Sequence, residues 1–298
     1  MNVQLTEGTY VLAISGGVDS MVLLHSVYEQ FKQNSRYTFV VAHFDHGIRE
    51  DSALDAQLVE QTAKAYNFLF YTEEAHLGAG ASEQLARTMR YAFLRSVKGK
   101  CGAQAIVTAH HQDDLLETIL LHVARGTGRN GLTPMRAYAD IVRPFLAYSK
   151  NDILQYASEH KLSWREDSTN KDTTYKRNHM RSLLSSDKLG VRPKLLAISA
   201  RMNKINTEAD AIVTALIGYV VNEKNECVRS RYVQLSHQVA CEVMIVWLQN
   251  SAAVEPSKNL INRLVLATKT LESGKKIDIS EGWWLYSDKN VVKICKNT

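Results

Sequence analysis

The chain has 298 residues, of which 45% are apolar and 22% are charged, so its composition is that of a globular protein and excludes a disordered or fibrous one. Its 36 basic and 31 acidic side chains leave a formal charge of +5, which does not by itself indicate a nucleic-acid partner. A length near 300 exceeds what one hydrophobic core usually organises, and it predicts two domains.

The four cysteines are scattered without a C-x-x-C pair, which excludes a disulfide framework, a zinc ribbon and a thiol redox motif. This pattern indicates a reducing compartment. The first residues do not read as a secretory signal, and no apolar run approaches the roughly 20 residues that span a bilayer. We therefore expect a cytoplasmic protein without a membrane partner.

Short β-rich apolar runs alternate with segments of helical period through the first 145 residues. The predicted strands are 10–14, 39–44, 68–71, 105–109 and 141–145, and the predicted helices are 20–32, 53–66, 82–97 and 113–124. This order predicts an α/β fold, a Rossmann-like parallel sheet with crossover helices. Ligands of such sheets bind beyond the carboxyl ends of the strands, so motifs at strand-to-helix corners mark the expected site.

The pattern changes after residue 145. An S-x-x-D capping box at Ser149 and Asp152 predicts a helix through His160, and a polar, charged stretch follows it. Gly190 and Pro193 predict a domain boundary near residue 190, giving domains of 1–190 and 191–298. Helices predicted at 194–223, 236–249 and 257–271, with strands within 276–294, make the second domain smaller and mainly helical with a few strands.

A phosphate-binding loop is predicted where the first strand runs directly into the first helix, in the sequence VLAISGGVDS. The glycines allow a sharp turn that brings N–H groups close to an anion, and the helix N-terminus adds partial positive charge. Asp19 would repel phosphate unless it holds Mg²⁺ against the phosphate oxygens. The candidate nucleotide-binding residues are Ser15, Gly16, Gly17, Val18, Asp19 and Ser20.

The loop matches neither G-x-x-x-x-G-K-[ST] nor G-x-G-x-x-G. SGGVDS instead resembles the signature of the PP-loop, or N-type ATP pyrophosphatase, superfamily. The resemblance implies a PP-loop ATPase domain that splits ATP between its α and β phosphates and adenylates an acceptor. The alternative is a plain Gly-Gly turn in which Asp19 caps the helix.

A second cluster, TAHHQDDLLET at 108–118, opens the helix after the fourth strand. Asp114 and Glu117 are three residues apart and share a helix face, where they can bind the ammonium of a small cationic substrate. Asp113 or its neighbours can instead cap the helix. The histidines and aspartates, with HFDH at 43–46, also suit a divalent metal, so a metal-dependent phosphohydrolase is the rival enzyme class.

Two further segments offer phosphate contacts. Arg125, Gly126, Thr127 and Gly128 can supply a guanidinium and backbone donors to phosphate, although a flexible helix end is the alternative. GTGRNG at 126–131 matches G-x-G-x-x-G by letter but follows a helix, so it is no dinucleotide motif. Residues 161–194 hold nine basic and four acidic side chains and predict a nucleic-acid surface, with a solvated mixed-charge loop as the alternative.

Taken together, the motifs resemble the tRNA(Ile)-lysidine synthetase family. They are SGGVDS at 15–20, HFDHGIR at 43–49, ARTMRY at 86–91, HHQDDLLET at 110–118, RGTG at 125–128 and EDSTNKDTTYKRNHMR at 166–181. The resemblance implies a ligase that joins free L-lysine to the wobble cytidine of an isoleucine tRNA with a CAU anticodon, consuming ATP with Mg²⁺. Beyond about residue 190, no motif supports it independently.

The resemblance also assigns roles by position. It implies that Asp19 is the magnesium-side carboxylate and that Asp114 and Glu117 bind substrate lysine. Arg87 and Arg90 belong to a helix that faces the reaction centre, with separate duties left open. It further implies that residues 125–128 lie near the nucleotide and that Arg177 and Arg181 contact the anticodon stem of the tRNA. Arg177 and Arg181 are four residues apart, so they share a face of a helix.

Three other classes stay open at this point. A PP-loop tRNA thiolase shares the nucleotide loop, but the cysteine spacing disfavours members that use a C-x-x-C pair or an iron–sulfur cluster. An amidotransferase of the GMP-synthetase type gains nothing from the basic stretch, and a non-catalytic RNA-binding protein does not need Asp19, Asp114 and Glu117 together. The sequence leaves a homodimer open.

Overall fold

The computed structural model of the chain describes residues 1–47, 52–75, 77–78, 82–136, 140–165, 180, 184, 190–252, 256–280 and 282–296. The chain forms two compact units, Met1–Met202 and Asn203–Thr298. Within the described ranges, no helix is both long and apolar enough to cross a membrane.

The first unit is built on a parallel five-stranded sheet. Its strands are β1 (Gly8–Ala13), β2 (Tyr37–Asp45), β3 (Leu69–Glu74), β4 (Ala105–Thr108) and β5 (Ile141–Val142). They lie in the order β3-β2-β1-β4-β5, and each neighbouring pair is parallel. The α/β prediction is therefore confirmed. The strand predicted at 141–145 is shorter than expected, because Pro144 starts a 3₁₀-helix, Pro144–Ala147, that removes Phe145 from the sheet.

Helices connect the strands of the first unit as predicted. They are α1 (Val18–Phe31), α2 (Ser52–Ala65), α3 (Glu83–Lys100), α4 (Gln112–Ala124) and α5 (Lys150–Glu159), with a short 3₁₀-helix at Arg129–Leu132. The Ser149 hydroxyl accepts a hydrogen bond from the Asp152 N–H and caps α5, so the capping box read from the sequence is confirmed.

The central strand β1 packs on both faces of the sheet because its side chains alternate. Tyr10, Leu12 and Ile14 join the core beneath α1 and α5, whereas Val11 joins the opposite core with Leu94 and Val97 of α3. Because β1 is buried on both faces, the loop that follows it starts from a fixed point.

The second unit is mainly helical, with an antiparallel sheet, as predicted. It contains the C-terminal part of α6 (Val191–Val220), and then α7 (Arg229–Tyr232), α8 (His237–Ala252) and α9 (Lys258–Thr270). Its strands β6 (Cys227–Val228), β7 (Lys276–Ser280), β8 (Trp283–Ser287) and β9 (Val291–Lys296) lie in the order β6-β9-β8-β7. Its core centres on the fully buried Trp247 and Tyr232.

The order of the parallel sheet positions the site. From β1 the chain moves to β2 and β3 on one side, and it then crosses to β4 and β5 on the other. The connections after β1 and β4 therefore leave the sheet in opposite directions, which opens a crevice between them at the carboxyl ends of the strands. The phosphate-binding loop and the start of α4 meet at this crevice.

Candidate active site

A cavity of about 650 Å³ opens at the carboxyl ends of β1, β2 and β4. Its volume is in the range that binds small molecules and cofactors. The lining includes Ser15, Asp19 and Ser20 of the phosphate-binding loop, His43–His46 of β2 and the following turn, and Thr108–His110 after β4. The corner motifs predicted from the sequence therefore line one cavity. We refer to residues 15–20 as the phosphate loop.

The phosphate loop is held by one buried hydroxyl. Ser20 Oγ accepts hydrogen bonds from the N–H groups of Ser15 at 3.1 Å and Gly16 at 3.2 Å, and it donates to the Gly17 carbonyl at 2.9 Å. Gly16 has a φ of +92°, and a Cβ there would lie 3.2 Å from the Cβ of Asp55. Glycine at this position is therefore required by both conformation and space.

The N-terminus of α1 faces the same cavity without a cap. Gly17 is the N-cap residue, and among the described residues no side chain caps this helix end. The first-turn N–H groups of Val18 and Asp19 therefore remain for an external acceptor, and the helix dipole adds positive potential. These donors and this potential are the features that suit an anion such as a phosphate group.

Asp19 forms an ion pair and does not cap α1. Its Oδ1 lies 2.5 Å from Lys150 Nζ and 3.7 Å from His111 Nε2. Its side chain keeps a third of its surface exposed and lines the cavity. The structure therefore does not support the alternative in which Asp19 only caps the helix.

His111, rather than an aspartate, caps α4. The His111 Nδ1 accepts a hydrogen bond from the Asp113 N–H at 3.2 Å, and the backbone N–H of His111 donates to Asp114 Oδ2 at 3.0 Å. In the neutral ring this arrangement puts the proton on Nε2. That nitrogen lies 3.6 Å from Asp114 Oδ2 and 3.7 Å from Asp19 Oδ1, so a buried imidazole lies between the two candidate carboxylates.

Asp113 joins three helices instead of lining the cavity. It accepts a hydrogen bond at 2.7 Å from the Lys150 N–H and pairs with the Arg192 guanidinium. Partial burial favours the neutral carboxyl, but these two hydrogen bonds outweigh burial and hold the pKa of Asp113 below its ordinary value. Asp113 thus fixes the starts of α4 and α5 relative to α6.

The predicted lysine-binding pair occupies two environments. Asp114 lines the cavity with a fifth of its side chain exposed. Glu117, one turn further along α4, is 2% exposed and is not among the lining residues. Of the two predicted carboxylates, Asp114 is therefore the one that faces the cavity in this conformation.

The predicted arginines are also distributed unevenly. Arg90 lines the cavity, whereas Arg87 does not, and both guanidinium groups lie over the Tyr91 ring at 5.4 and 4.9 Å from its centre. Residues 125–128 are exposed and lie outside the cavity lining, so their predicted nucleotide contact stays a prediction. Arg177 and Arg181 lie outside the described residues.

Three residues of the site escaped the sequence analysis. Arg165 donates its N–H to the Gly16 carbonyl at 3.1 Å and its Nε to Asp55 Oδ1 at 2.6 Å. Asp55 is 6% exposed and Arg165 is partly exposed, and their ion pair holds the phosphate loop against α2. Lys150, which pairs with Asp19, is the third. No local motif marks these residues, because each acts on a loop far away in sequence.

His43 is held as a neutral ring beneath the phosphate loop. Its Nδ1 hydrogen bonds with the Ile14 carbonyl at 2.9 Å. Burial lowers the pKa of His43, and the hydrogen bond to Ile14 only partly offsets this effect. Within the described ranges, no group of three or more His, Cys, Asp or Glu residues is placed to hold a metal ion.

A parallel α/β sheet whose first strand ends in SGGVDS, with an uncapped helix start and an acidic α4 in one cavity, defines a nucleotide-binding protein that is not of the Walker type. The family model of the PP-loop domain matches residues 2–187. The chain belongs to the PP-loop family, which confirms the resemblance found in the phosphate loop.

Among curated proteins, the chain is similar to tRNA(Ile)-lysidine synthases. The tRNA(Ile)-lysidine synthase of Lactiplantibacillus plantarum is 29% identical over 301 residues, which cover 96% of this chain and 67% of that protein. The synthases of Thermotoga maritima and Thermus thermophilus are 38% and 42% identical over 187 and 178 residues. These alignments cover 59% and 57% of this chain but only 44% and 34% of those proteins. The similarity to lysidine synthetases predicted from the motifs is confirmed.

A solved structure shares the fold. The U34-tRNA thiolase NcsA from Methanococcus maripaludis, with its 4Fe–4S cluster, aligns with a TM-score of 0.56 over 66% of this chain and 73% of that chain. The two sequences are 14% identical, so the likeness concerns the fold alone.

Proposed function

We propose that the chain ligates L-lysine to the wobble cytidine of the isoleucine tRNA with a CAU anticodon, using ATP and releasing AMP and pyrophosphate. The observation that supports this proposal most directly is that one cavity is lined by both the phosphate loop and Asp114. An anion-binding helix start and a carboxylate for an ammonium thus face the same space. Such a space lets an activated base meet an amine.

ATP is proposed to place its triphosphate at the phosphate loop. The N–H groups at the start of α1 would donate to phosphate oxygens, and the bond between the α and β phosphates would lie near Asp19. Fixed donors aimed at the departing pyrophosphate stabilise the negative charge that develops there. Because Ser20 and the Arg165 pair already hold the loop, little rearrangement is required when the nucleotide binds.

Asp19 fits a Mg²⁺ ion in this site. The ion usually takes one or two protein carboxylates and completes its shell with substrate phosphates and water. Asp19 Oδ1 already has a cationic group at 2.5 Å, the Lys150 ammonium, so the carboxylate is placed to hold positive charge at the loop. Bound there, Mg²⁺ would neutralise charge on the phosphate oxygens.

The first chemical step makes cytosine reactive. The carbonyl oxygen at C2 of the cytosine attacks the α phosphorus, the bond to the β-phosphate oxygen breaks, and pyrophosphate leaves. The product is a cytidine adenylated on that oxygen, which turns a poor leaving group into AMP. The base has to leave its stack to reach the cavity.

The second step joins lysine to the activated base. The ε-amine attacks C2, the bond from C2 to the adenylate oxygen breaks, and AMP leaves. The amine must lose a proton, and Asp114 or Glu117 is proposed to accept it. Asp114 is the better placed of the two in this conformation, because it lines the cavity.

The tRNA surface is proposed from charge and family resemblance. Arg177 and Arg181 belong to the stretch 161–194, which carries nine basic and four acidic residues. Their guanidinium groups would contact phosphates of the anticodon stem, positioning the tRNA without reading its sequence.

A thiolase function has less support, although the fold is shared with NcsA. The four cysteines are free, one in the first unit and three in the second, and none is within three residues of another. A cluster-dependent thiolase needs several thiolates at one point.

The test compares two aspartates in equivalent local positions. Asp114 and Asp152 are both the third residue of a helix and both accept the N-cap N–H, at 3.0 and 2.7 Å, but only Asp114 lines the cavity. Asp114→Asn keeps an oxygen for the cap and loses the charge. We expect labelled lysine incorporation into total bacterial tRNA to fall by at least about 100-fold in Asp114→Asn, because a buried ammonium loses its counter-charge.

Asp152→Asn should stay within about 3-fold of the wild type, because asparagine keeps an oxygen that can accept the Ser149 N–H and Asp152 does not line the cavity. Both variants should still bind ATP. Normal lysine incorporation by Asp114→Asn would refute the lysine site. No lysine-dependent label with the wild-type chain, or release of inorganic phosphate without a lysine requirement, would refute the ligase proposal itself.

A further inference from the structure

Lys150 brings an ammonium group to the phosphate loop from a different part of the chain. It is the first residue of α5, and its Nζ lies 2.5 Å from Asp19 Oδ1. Leu154, one helical turn later, also lines the cavity, so this face of α5 is turned toward the ligand space. The Lys150 side chain is 37% exposed and lines the cavity.

The start of α5 is fixed in place by hydrogen bonds. The Lys150 N–H donates to Asp113 Oδ2 at 2.7 Å, and the Ser149 N–H donates to Asp152 Oδ2 at 2.7 Å. The backbone of Lys150 is thereby anchored, while its four-carbon side chain can still move. The ammonium can therefore reach a ligand at the phosphate loop without any movement of the helix.

The charged side chains around the cavity indicate that Lys150 is the basic residue that can move to a ligand. Among the described lining residues, three side chains are permanently basic: Arg90, Lys150 and Arg165. Arg165 is held by the buried Asp55, and Arg90 lies over the Tyr91 ring. Against these stand four lining carboxylates: Asp19, Asp45, Asp55 and Asp114. A triphosphate that enters this acidic cavity needs a cation next to the phosphate loop.

We propose that Lys150 binds the triphosphate of the nucleotide. In the nucleotide-free protein its ammonium neutralises Asp19, which otherwise would repel an incoming phosphate. When the nucleotide enters, the ammonium moves to the phosphate oxygens and leaves Asp19 available to Mg²⁺. This inference rests on the proposed use of ATP at the phosphate loop.

Calorimetric titration with α,β-methylene-ATP, without and with Mg²⁺, tests the assignment. We expect Lys150→Met to weaken binding of the analogue by at least about 10-fold in both conditions, whereas Lys150→Arg stays within about 3-fold of the wild type. Binding of adenosine, which has no phosphate, should be unchanged in Lys150→Met. A purely structural role for Lys150 would weaken both ligands equally.

Lys32→Met is the matched control. Lys32 also forms a lysine–carboxylate pair, with Glu29 at 2.8 Å, but it follows the last turn of α1 and is not among the lining residues. We expect this variant to bind the analogue as the wild type does. Thermal unfolding of each variant checks that the fold is retained.

The double variant Asp19→Asn with Lys150→Met separates two roles for the ammonium, and Mg²⁺ is omitted here because Asp19 is its proposed ligand. If Lys150 contacts phosphate, the double variant stays at least about 10-fold weaker than Asp19→Asn alone. Equal affinities of the double variant and Asp19→Asn would show that Lys150 only neutralises Asp19, and would overturn the proposal.

Wild-type affinity for the analogue in the single variant Lys150→Met would also overturn the proposal about Lys150, but it would leave the proposed function standing. A wild-type chain that does not bind the analogue would overturn both.

Discussion

The two units of the chain bury different kinds of polar groups. Within the described residues, the first unit buries several ionisable side chains: His43, Asp45, Asp55, His111 and Glu117. In the second unit the described buried polar side chains, Asn206, Thr268 and Ser287, carry no charge, and the buried Cys227 and Tyr232 stay neutral. Because a buried charge costs free energy unless it is paired, the cost of burying acidic side chains falls on the first unit.

The interior of the second unit is correspondingly inert. Burial raises the pKa of the Cys227 thiol to about 12. It also raises the pKa of the Tyr232 hydroxyl, which donates to the Ala240 carbonyl at 2.8 Å. Both side chains stay neutral at physiological pH, so they pack and take no part in proton transfer. The described buried ionisable groups that could take part in proton transfer therefore belong to the first unit.

The largest predicted effect is a loss of stability in the second unit. Trp247 is 1% exposed, and its indole N–H donates to Asn225 Oδ1 at 3.1 Å. Trp247→Ala should lower the free energy of unfolding by about 3–5 kcal/mol, because it leaves a large cavity in the core. Leu266→Ala on the exposed face of α9 should change it by less than about 0.5 kcal/mol. Urea unfolding followed by circular dichroism measures both, and a small effect of Trp247→Ala would mean that this core is loosely packed.

Two glycines, Gly16 in the first unit and Gly218 in the second, should respond oppositely to substitution by alanine. Gly16→Ala forces alanine into a φ of +92° and against the Cβ of Asp55, so we expect a loss of about 1–2 kcal/mol and a clear loss of ATP binding. Gly218→Ala, where no neighbouring atom lies within 4 Å of the added Cβ, should stabilise α6 by about 0.5–1 kcal/mol. Thermal unfolding with an ATP titration reports both. Unchanged ATP binding by Gly16→Ala would mean that the loop conformation is unimportant.

The smallest predicted effect is the pH dependence that Asp113 gives to the stability of the first unit. Because the pKa of Asp113 is depressed below its ordinary 3.8, the folded chain binds its proton less readily than the unfolded chain. Its contribution is complete above about pH 5 and is lost as the pH falls through 3.8 and below. Asp113→Asn should therefore be about 1 kcal/mol less stable than the wild type at pH 7, with the difference shrinking toward pH 3. A difference that does not depend on pH would show that the charge of Asp113 does not stabilise the fold.

The sequence predicted the fold well because its signals are local. Strand–loop–helix patterns, the SGGVDS turn and the capping box at Ser149 each depend on neighbouring residues, and each is confirmed in the structure. The most shortened strand, β5, ends where Pro144 starts a 3₁₀-helix, which the apolar run did not reveal.

The site was less predictable, because its fine geometry is not local. Gly16, Asp19 and Asp114 lie in motifs, but Lys150 reaches Asp19 across 131 positions and Arg165 reaches Asp55 across 110. Only folding brings such charges together. The cap of α4 was hidden for a different reason: His111 takes a role for which aspartate is the commoner residue, and this leaves Asp114 as its capping-box partner.

The central claim is that the phosphate loop binds the triphosphate of ATP. Crystals soaked with α,β-methylene-ATP test it most directly. We predict phosphate density within hydrogen-bond distance of the first N–H groups of α1, beside Gly16, Gly17 and Asp19. An analogue bound elsewhere, with this helix end free of phosphate, would contradict the account.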